Sequence, residues 1–189
     1  MEAISKQRHR HPGTFMQKVA FGTITLMHDN PLLPLFKDPY ELLKVAGLER
    51  GQKVLEVGCG PGFFTIPASH IVGEEGIVYA VDVNPYAIAR VRGKIEKEGI
   101  KNVVPMLRNA SDTGLPNQGV DVAFMFGLPH IVGGREGVVS EIHRILKPGG
   151  LLSLQNARGR RGTIIDELGR IGFVLLERKA SFSLFIKKR

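Results

Sequence analysis

Residues Val54–Gly62 read VLEVGCGPG, which is an apolar run followed by three closely spaced glycines. The apolar run is typical of a buried strand, and glycines allow positive φ angles and a close approach of a ligand to the main chain. We expect a helix to begin near Gly62 and to offer free backbone N–H groups to a polar or anionic ligand. The stretch therefore predicts a nucleotide-type pocket at the carboxyl end of a strand.

Apolar runs and helical segments alternate along most of the chain. The predicted strands are Lys53–Val57, Ile77–Val81, Val103–Met106, Val120–Phe126 and Leu151–Leu154. Helical apolar spacing recurs between most of them, as at Ala87, Val91 and Ile95. Turn-forming residues between Met106 and Val120 predict a loop without a long helix. This alternation predicts an α/β fold whose parallel sheet is covered by helices on both faces.

A second helical stripe runs from Val138 to Leu146. Its opposite side carries the polar residues Glu141, Arg144 and Lys147. Pro148-Gly149-Gly150 should end this helix and turn into the next strand. After a short helix over Thr163–Arg170, the strands Phe173–Arg178 and Ser181–Lys187 should form an antiparallel hairpin at the sheet edge, joined by Lys179-Ala180.

The first 38 residues do not fit this alternation. Asp38-Pro39 is a suitable start for a helix that Gly47 ends. The length of 189 residues predicts one domain, 1–189, in which residues 1–38 form an N-terminal arm over the sheet.

Composition indicates a cytoplasmic globular protein, with 43% hydrophobic and 23% charged residues. No apolar run approaches the ~20 residues that span a bilayer, and the basic N-terminus lacks the apolar core of a secretory signal. The single cysteine, Cys59, excludes an intramolecular disulfide and a cysteine-cluster zinc site, so we expect no metal.

The net charge of +8 is concentrated at the two ends of the chain. Residues 155–189 carry nine Lys or Arg against three acids, whereas residues 21–154 are nearly balanced, with 13 bases and 14 acids. Such ends attract phosphates or acidic partners, but they are equally typical of a solubilising surface.

The residues around the glycine turn favour S-adenosylmethionine as the ligand. A dinucleotide motif requires a third spaced glycine where Phe63 stands, and a P-loop requires a lysine that is absent. Glu56 precedes the turn, and a carboxylate suits a cationic ligand better than a pyrophosphate. Asp82, 20 residues beyond Gly62 at the end of the next strand, is placed to accept hydrogen bonds from ribose hydroxyls, although it could also cap the following helix. Asn84-Pro85 is the predicted start of that helix.

Four segments in order resemble the class I S-adenosylmethionine-dependent methyltransferase family, from about Tyr40 to the C-terminus. They read VLEVGCGPG, VYAVDVNPYAI, RNASDTGLPNQGVDVAFMFGLPHI and ILKPGGLL. The resemblance implies a Rossmann-like three-layer sandwich around a seven-stranded, mostly parallel sheet in the order 3-2-1-4-5-7-6, with the last strand antiparallel.

The resemblance also implies the cofactor site, with S-adenosylhomocysteine as the product. By this resemblance Glu56 and the three glycines line the methionine part, and Asp82 holds the ribose. Val83 packs on the adenine, Asn109 and Ala110 contact its edge, and Phe126 lies beside the methyl group. The cofactor-binding residues are then Glu56, Gly58, Gly60, Gly62, Asp82, Val83, Asn109, Ala110 and Phe126. Asn109 departs from the Asp that is common in the family, but its amide also accepts and donates hydrogen bonds.

The methyl acceptor is not identified by these residues. The stretch Gly127-Leu128-Pro129-His130 disfavours the adenine- and glutamine-amino methyltransferases, which resemble one another in carrying Asn/Asp-Pro-Pro-Tyr/Phe there. His130 is the first candidate for a general base, followed by His28 and Asp29, but each is more typical of a structural role, such as a hydrogen bond from His130 to its loop. Arg158, Arg160 and Arg161 are candidates for binding a phosphate, a carboxylate or a nucleic-acid backbone.

Three hypotheses follow from the sequence. The first is a methyltransferase acting on a small or medium organic molecule. The second is an RNA or protein methyltransferase that uses the basic ends, although no aromatic cluster marks a stacking platform for bases. The third is a sensor that binds S-adenosylmethionine without catalysis.

Overall fold

In the computed structural model, which describes residues 38–126, 134–155, 161–178 and 182–188, seven strands form one sheet. They are β1 (Lys53–Val57), β2 (Ile77–Asp82), β3 (Val103–Leu107), β4 (Val120–Met125), β5 (Leu146–Gln155), β6 (Phe173–Arg178) and β7 (Phe182–Lys187). Their order is β3-β2-β1-β4-β5-β7-β6. Strand β7 is antiparallel to β5 and β6, and the other pairs are parallel. The predicted fold class and strand order are confirmed.

Five helices are described, and two of them begin at the predicted caps. They are α1 (Pro39–Val45), α2 (Thr65–Val72), α3 (Pro85–Glu98), α4 (Arg135–Ile145) and α5 (Arg161–Ile171). The Asp38 side chain accepts a hydrogen bond from Tyr40 N at 2.9 Å, and Asn84 accepts one from Tyr86 N at 3.0 Å. Each cap satisfies a backbone donor that the first helical turn leaves free, which is typically worth about 1 kcal/mol.

Successive residues of the central strands point into two separate cores. Val54 packs with residues of α1, α2 and α3, whereas Leu55 packs with residues of α4 and α5. This alternation is the period of two that a strand imposes on its side chains. The sheet is therefore covered by helices on both faces, as predicted.

Two predicted boundaries were wrong. The helix after the glycine turn begins at Thr65 rather than near Gly62, because Gly62 has a φ of +88°, which is not helical. Helix α4 ends at Ile145, so Lys147 is not on it, and the Pro148-Gly149-Gly150 turn lies within β5. There the pairing with β4 shifts from Val120↔Leu146 to Val122↔Leu151, so the turn bulges out of the ladder.

Other predictions concern the loops and the ends of the chain. The segment between β3 and β4 contains no helix, as predicted, and β6 and β7 form the predicted antiparallel pair. Residues 1–37 and the link 179–181 lie outside the described residues, so the N-terminal arm and the single-domain organisation stay predictions. Among the helices of the described ranges, none has the length and apolar character to cross a membrane.

Two glycines provide a test of the packing. Alanine at Gly76 would place its Cβ 2.6 Å from Val72 Cβ and 2.7 Å from the Gln52 carbonyl oxygen, so we expect a loss of roughly 1–3 kcal/mol of unfolding free energy. Alanine at Gly93, inside α3, meets nothing within 4 Å and should stabilise by roughly 0.5–1 kcal/mol. Urea unfolding measures both changes, and a neutral Gly76→Ala variant would contradict the described packing.

Candidate functional site

The strands β1, β2, β3 and β4 are parallel, and their carboxyl ends lie side by side at the same end of the sheet. Val57 is paired with Val81 on one side and with Met125 on the other, and Asp82 is paired with Leu107. The predicted cofactor-binding residues lie at these strand ends or within a few residues beyond them. The fold therefore brings four segments to the carboxyl end of the sheet. They are the glycine turn, Asp82, the Asn109 loop and the start of the segment after β4.

The glycine turn is held against the end of β2 by main-chain hydrogen bonds. Gly58, Gly60 and Gly62 have φ values of +73°, +52° and +88°, which is the region that glycine adopts without strain. The N–H groups of Gly58 and Cys59 both donate to the Val81 carbonyl, at 2.8 and 3.1 Å. A Cβ built at Gly60 meets no atom of the described residues within 4 Å, so these residues leave space beside it.

The Asp82 carboxylate joins the glycine turn to the second strand. Its Oδ2 accepts a hydrogen bond from Gly60 N at 2.9 Å, and its Oδ1 accepts one from Asn84 N at 2.8 Å. Asn84, not Asp82, caps helix α3. Each carboxylate oxygen keeps capacity for another hydrogen bond. The neighbouring Val83 is 45% exposed, so an apolar side chain stands uncovered beside this carboxylate.

Glu56 is a buried acid beneath the turn. It is 2% exposed, and its Oε2 accepts a hydrogen bond from Thr65 Oγ1 at 2.6 Å. Burial raises the pKa of Glu56 to about 8, opposed by the Thr65 hydrogen bond and reinforced by the negative charge of Asp82. Burial also raises the pKa of the Cys59 thiol, which is therefore not an activated nucleophile.

The loop after β3 begins next to Asp82. Arg108 N donates to the Asp82 carbonyl at 3.1 Å, and the Asn109 side-chain oxygen accepts from Ser111 N at 3.1 Å. Ala110 is 7% exposed and belongs to the same core cluster as Val57 and Val81. The main chain at the two predicted adenine-edge residues is thereby anchored to the ends of β1 and β2.

Phe126 lies immediately after β4 and packs within a group of aromatic rings. Its ring centroid is 5.3 Å from that of Phe64, 5.0 Å from that of Phe124 and 4.7 Å from that of Phe182. Phe126 is only 6% exposed. The rings form an apolar wall between the glycine turn and β7, and not an exposed platform on which bases could stack.

Several predicted site residues cannot be placed. His130, His28, Asp29, Arg158 and Arg160 lie outside the described residues, and for Arg161 only the backbone is described. In the ranges that are described, no group of three or more His, Cys, Asp or Glu side chains is arranged to hold a metal ion.

Sequence reasoning missed Thr65 and misplaced Glu141. Thr65 is a polar residue between Phe64 and Ile66, which was the only local sign that its hydroxyl is buried. Glu141 was predicted on the polar side of its helix, but it is 8% exposed. It is buried because its carboxylate binds Arg144 and the main chain of the loop before β4.

Comparisons with known proteins indicate the family of the chain. Residues 54–150 match the sequence profile of a methyltransferase domain family. A probable cobalt-precorrin-6B C(15)-methyltransferase (decarboxylating) of Saccharolobus solfataricus is 29% identical over 77% of this chain and 74% of its own length. A ubiquinone/menaquinone biosynthesis C-methyltransferase of Shewanella is 33% identical over 58% of this chain. A crystal structure of an S-adenosylmethionine-dependent methyltransferase from Aquifex aeolicus superimposes with a TM-score of 0.74 and 25% identity, covering 94% of this chain and 98% of that one.

The chain therefore belongs to the class I S-adenosylmethionine-dependent methyltransferases, and S-adenosylmethionine is its cofactor. The match to the Shewanella protein spans 44% of that protein's length.

The burial of Glu56 predicts a pH dependence of stability. In the unfolded chain its carboxyl loses the proton near the ordinary pKa of 4.5, whereas the folded protein keeps it up to about 8. The stabilisation is therefore complete below 4.5 and is lost as the pH rises through about 8. Urea unfolding across this range should show a steeper decline for the wild type than for Glu56→Gln.

A matched control is the exposed acid Glu136, since Glu136→Gln should retain the wild-type slope. Equal slopes for the wild type and Glu56→Gln would mean that Glu56 titrates normally and is not buried as described.

Proposed function

We propose that the protein transfers the methyl group of S-adenosylmethionine to a small or medium-sized organic acceptor. The observation that carries this proposal is the hydrogen bond from Gly60 N to Asp82, which fixes the glycine turn and the ribose-binding acid in one unit. Because both parts are already in place, the cofactor meets a preorganised surface.

The residues at the strand ends would hold the cofactor in a defined direction. Gly58, Gly60 and Gly62 would line its methionine part above Glu56, and Asp82 would accept hydrogen bonds from its ribose hydroxyls. The exposed Val83 would pack on its adenine, and Asn109 and Ala110 would contact the adenine edge. The exposure of Val83 supports this direction, because an apolar side chain beside a polar pocket gains from being covered.

The residues contribute to transfer mainly by positioning. A sulfonium is a good methyl donor, and holding donor and acceptor in line can supply ~7–11 kcal/mol of the barrier. The aromatic wall around Phe126 excludes water from the end of the site that faces β4. A general base is needed only for an acceptor that must lose a proton, and His130 remains the candidate.

The acceptor class is supported by the relatives. The two curated relatives described above are named as C-methyltransferases, one for cobalt-precorrin-6B and one in ubiquinone/menaquinone biosynthesis. Both names point to organic acceptors rather than to macromolecules. Nucleic-acid binding through Arg158, Arg160 and Arg161, the cytoplasmic location and the sensor hypothesis stay predictions.

Asp82→Ala should weaken the binding of S-adenosylhomocysteine by roughly 10- to 100-fold, because two hydrogen bonds to a charged acceptor are lost. Isothermal titration calorimetry measures the Kd. Asp121→Asn is the matched control, since Asp121 accepts from Lys53 N at the opposite end of the sheet and should leave the Kd unchanged. An unchanged Kd for Asp82→Ala would refute the ribose assignment.

Transfer of a labelled methyl group into a fractionated cell extract tests the acceptor class. We expect label in the small-molecule fraction. Label in RNA or protein would favour the second hypothesis, and tight cofactor binding with no labelled fraction would favour the sensor.

A further inference from the structure

Glu141, on α4, is a buried carboxylate that holds the loop between β3 and β4. Its Oε1 accepts hydrogen bonds from Thr113 N at 2.9 Å and from Thr113 Oγ1 at 2.6 Å. The same Thr113 hydroxyl oxygen accepts from Leu115 N at 3.2 Å. A single side chain of α4 thus fixes both the main chain and the side chain of one loop residue.

Arg144, one turn further along α4, extends this contact over the rest of the loop. Its Nε donates to Glu141 Oε2 at 2.7 Å, and its Nη2 donates to the Leu115 carbonyl at 2.8 Å. Its Nη1 donates to the Asn117 side-chain oxygen at 2.5 Å, and its own carbonyl accepts from Gln118 N at 3.1 Å. Arg144 and Thr113 lower the pKa of Glu141 to about 2, so this residue is an anion at any ordinary working pH.

The loop contains no helix or strand, and these side-chain contacts attach it to α4. Asn109 and Ala110 lie near its start, three to four residues before Thr113. Asn109 Oδ1 accepts from Ser111 N, and Asp112 N donates to the Asn109 carbonyl at 3.0 Å. The position of Asn109 is therefore coupled to that of Thr113 through one short turn.

We propose that Glu141 is a positioning residue for adenine recognition. Glu141 holds the loop between β3 and β4 so that Asn109 and Ala110 contact the adenine edge. This inference rests on the proposed function, because it assumes that the cofactor adenine lies at this loop. Glu141 itself does not touch the cofactor; it acts through Thr113.

A carboxylate is required at this position because donors approach both of its oxygens. Glutamine offers one acceptor oxygen and places an NH₂ group against either Thr113 or Arg144. Glu141→Gln should therefore break the hydrogen bonds either to Thr113 or to Arg144, and it should leave a buried donor without a partner. Thr113→Val removes only the hydroxyl, whereas Thr113→Ser keeps it.

The experiment measures the Kd of S-adenosylhomocysteine and of S-inosylhomocysteine, in which an oxo group replaces the adenine amino group. We expect Glu141→Gln to raise the Kd of S-adenosylhomocysteine about tenfold or more and to reduce the preference for it over the inosine analogue. Thr113→Val should show the same changes to a smaller degree, and Thr113→Ser should remain within about twofold of the wild type. The exposed Glu136→Gln on the same helix is the control and should change neither value.

The Kd values distinguish a failure of the positioning role of Glu141 from a failure of the proposed methyltransferase function. Wild-type affinity and preference in both Glu141→Gln and Thr113→Val would overturn the inference, as would a Kd that rises equally for both ligands. If Glu141→Gln does not fold, the Thr113→Val and Thr113→Ser pair decides, and identical behaviour of the two overturns the inference. A wild-type protein that binds neither ligand would overturn the proposed function as well.

Discussion

The hydrogen bond from Gly60 N to Asp82 Oδ2 is the contact on which the site depends. It forms only if the chain reverses direction directly after β1, which requires the positive φ angles of Gly58 and Gly60. It also requires β1 and β2 to be parallel neighbours with Val57 opposite Val81, so that Asp82 lies level with the turn. This one hydrogen bond therefore depends both on the strand order of the sheet and on the backbone conformation of the glycine turn.

The electrostatics of the site follow from the same arrangement. Glu56 is buried under the turn and lies near enough to Asp82 for the negative charge of Asp82 to oppose its ionisation. A pKa of about 8 favours the protonated form of Glu56 at neutral pH. A cationic ligand such as S-adenosylmethionine favours the ionised carboxylate, and an anionic pyrophosphate does not. In the proposed function, ionisation of Glu56 would therefore be favoured by a cationic ligand beside it.

Most of the fold could be predicted from the sequence because its signals are local. Apolar runs such as Ile77–Val81, helical spacing such as Ala87 and Val91, and the cap at Asn84 each depend on a few neighbouring residues. The resemblance to a family supplied the order of the strands, which local patterns do not contain. The glycine turn and Asp82 also lie in contact, because their spacing in the sequence places both at the ends of adjacent parallel strands.

The errors arise where residues distant in the chain decide the structure. Glu141 is buried because Thr113, 28 residues earlier, offers it two donors, which no helical periodicity reveals. The phenylalanine wall unites Phe64, Phe126 and Phe182, which come together only once β4 and β7 flank β5. The misplaced start of α2 has instead a local cause, because the three glycines prolong the turn to Phe64.

The most direct test of this account is a crystal structure of the protein with S-adenosylhomocysteine. The account predicts that both ribose hydroxyls lie within hydrogen-bond distance of the Asp82 carboxylate while Gly60 N remains bonded to the same group, with the adenine over Val83. A ribose that lies away from Asp82, or a glycine turn that has left Asp82 to admit the ligand, would contradict it.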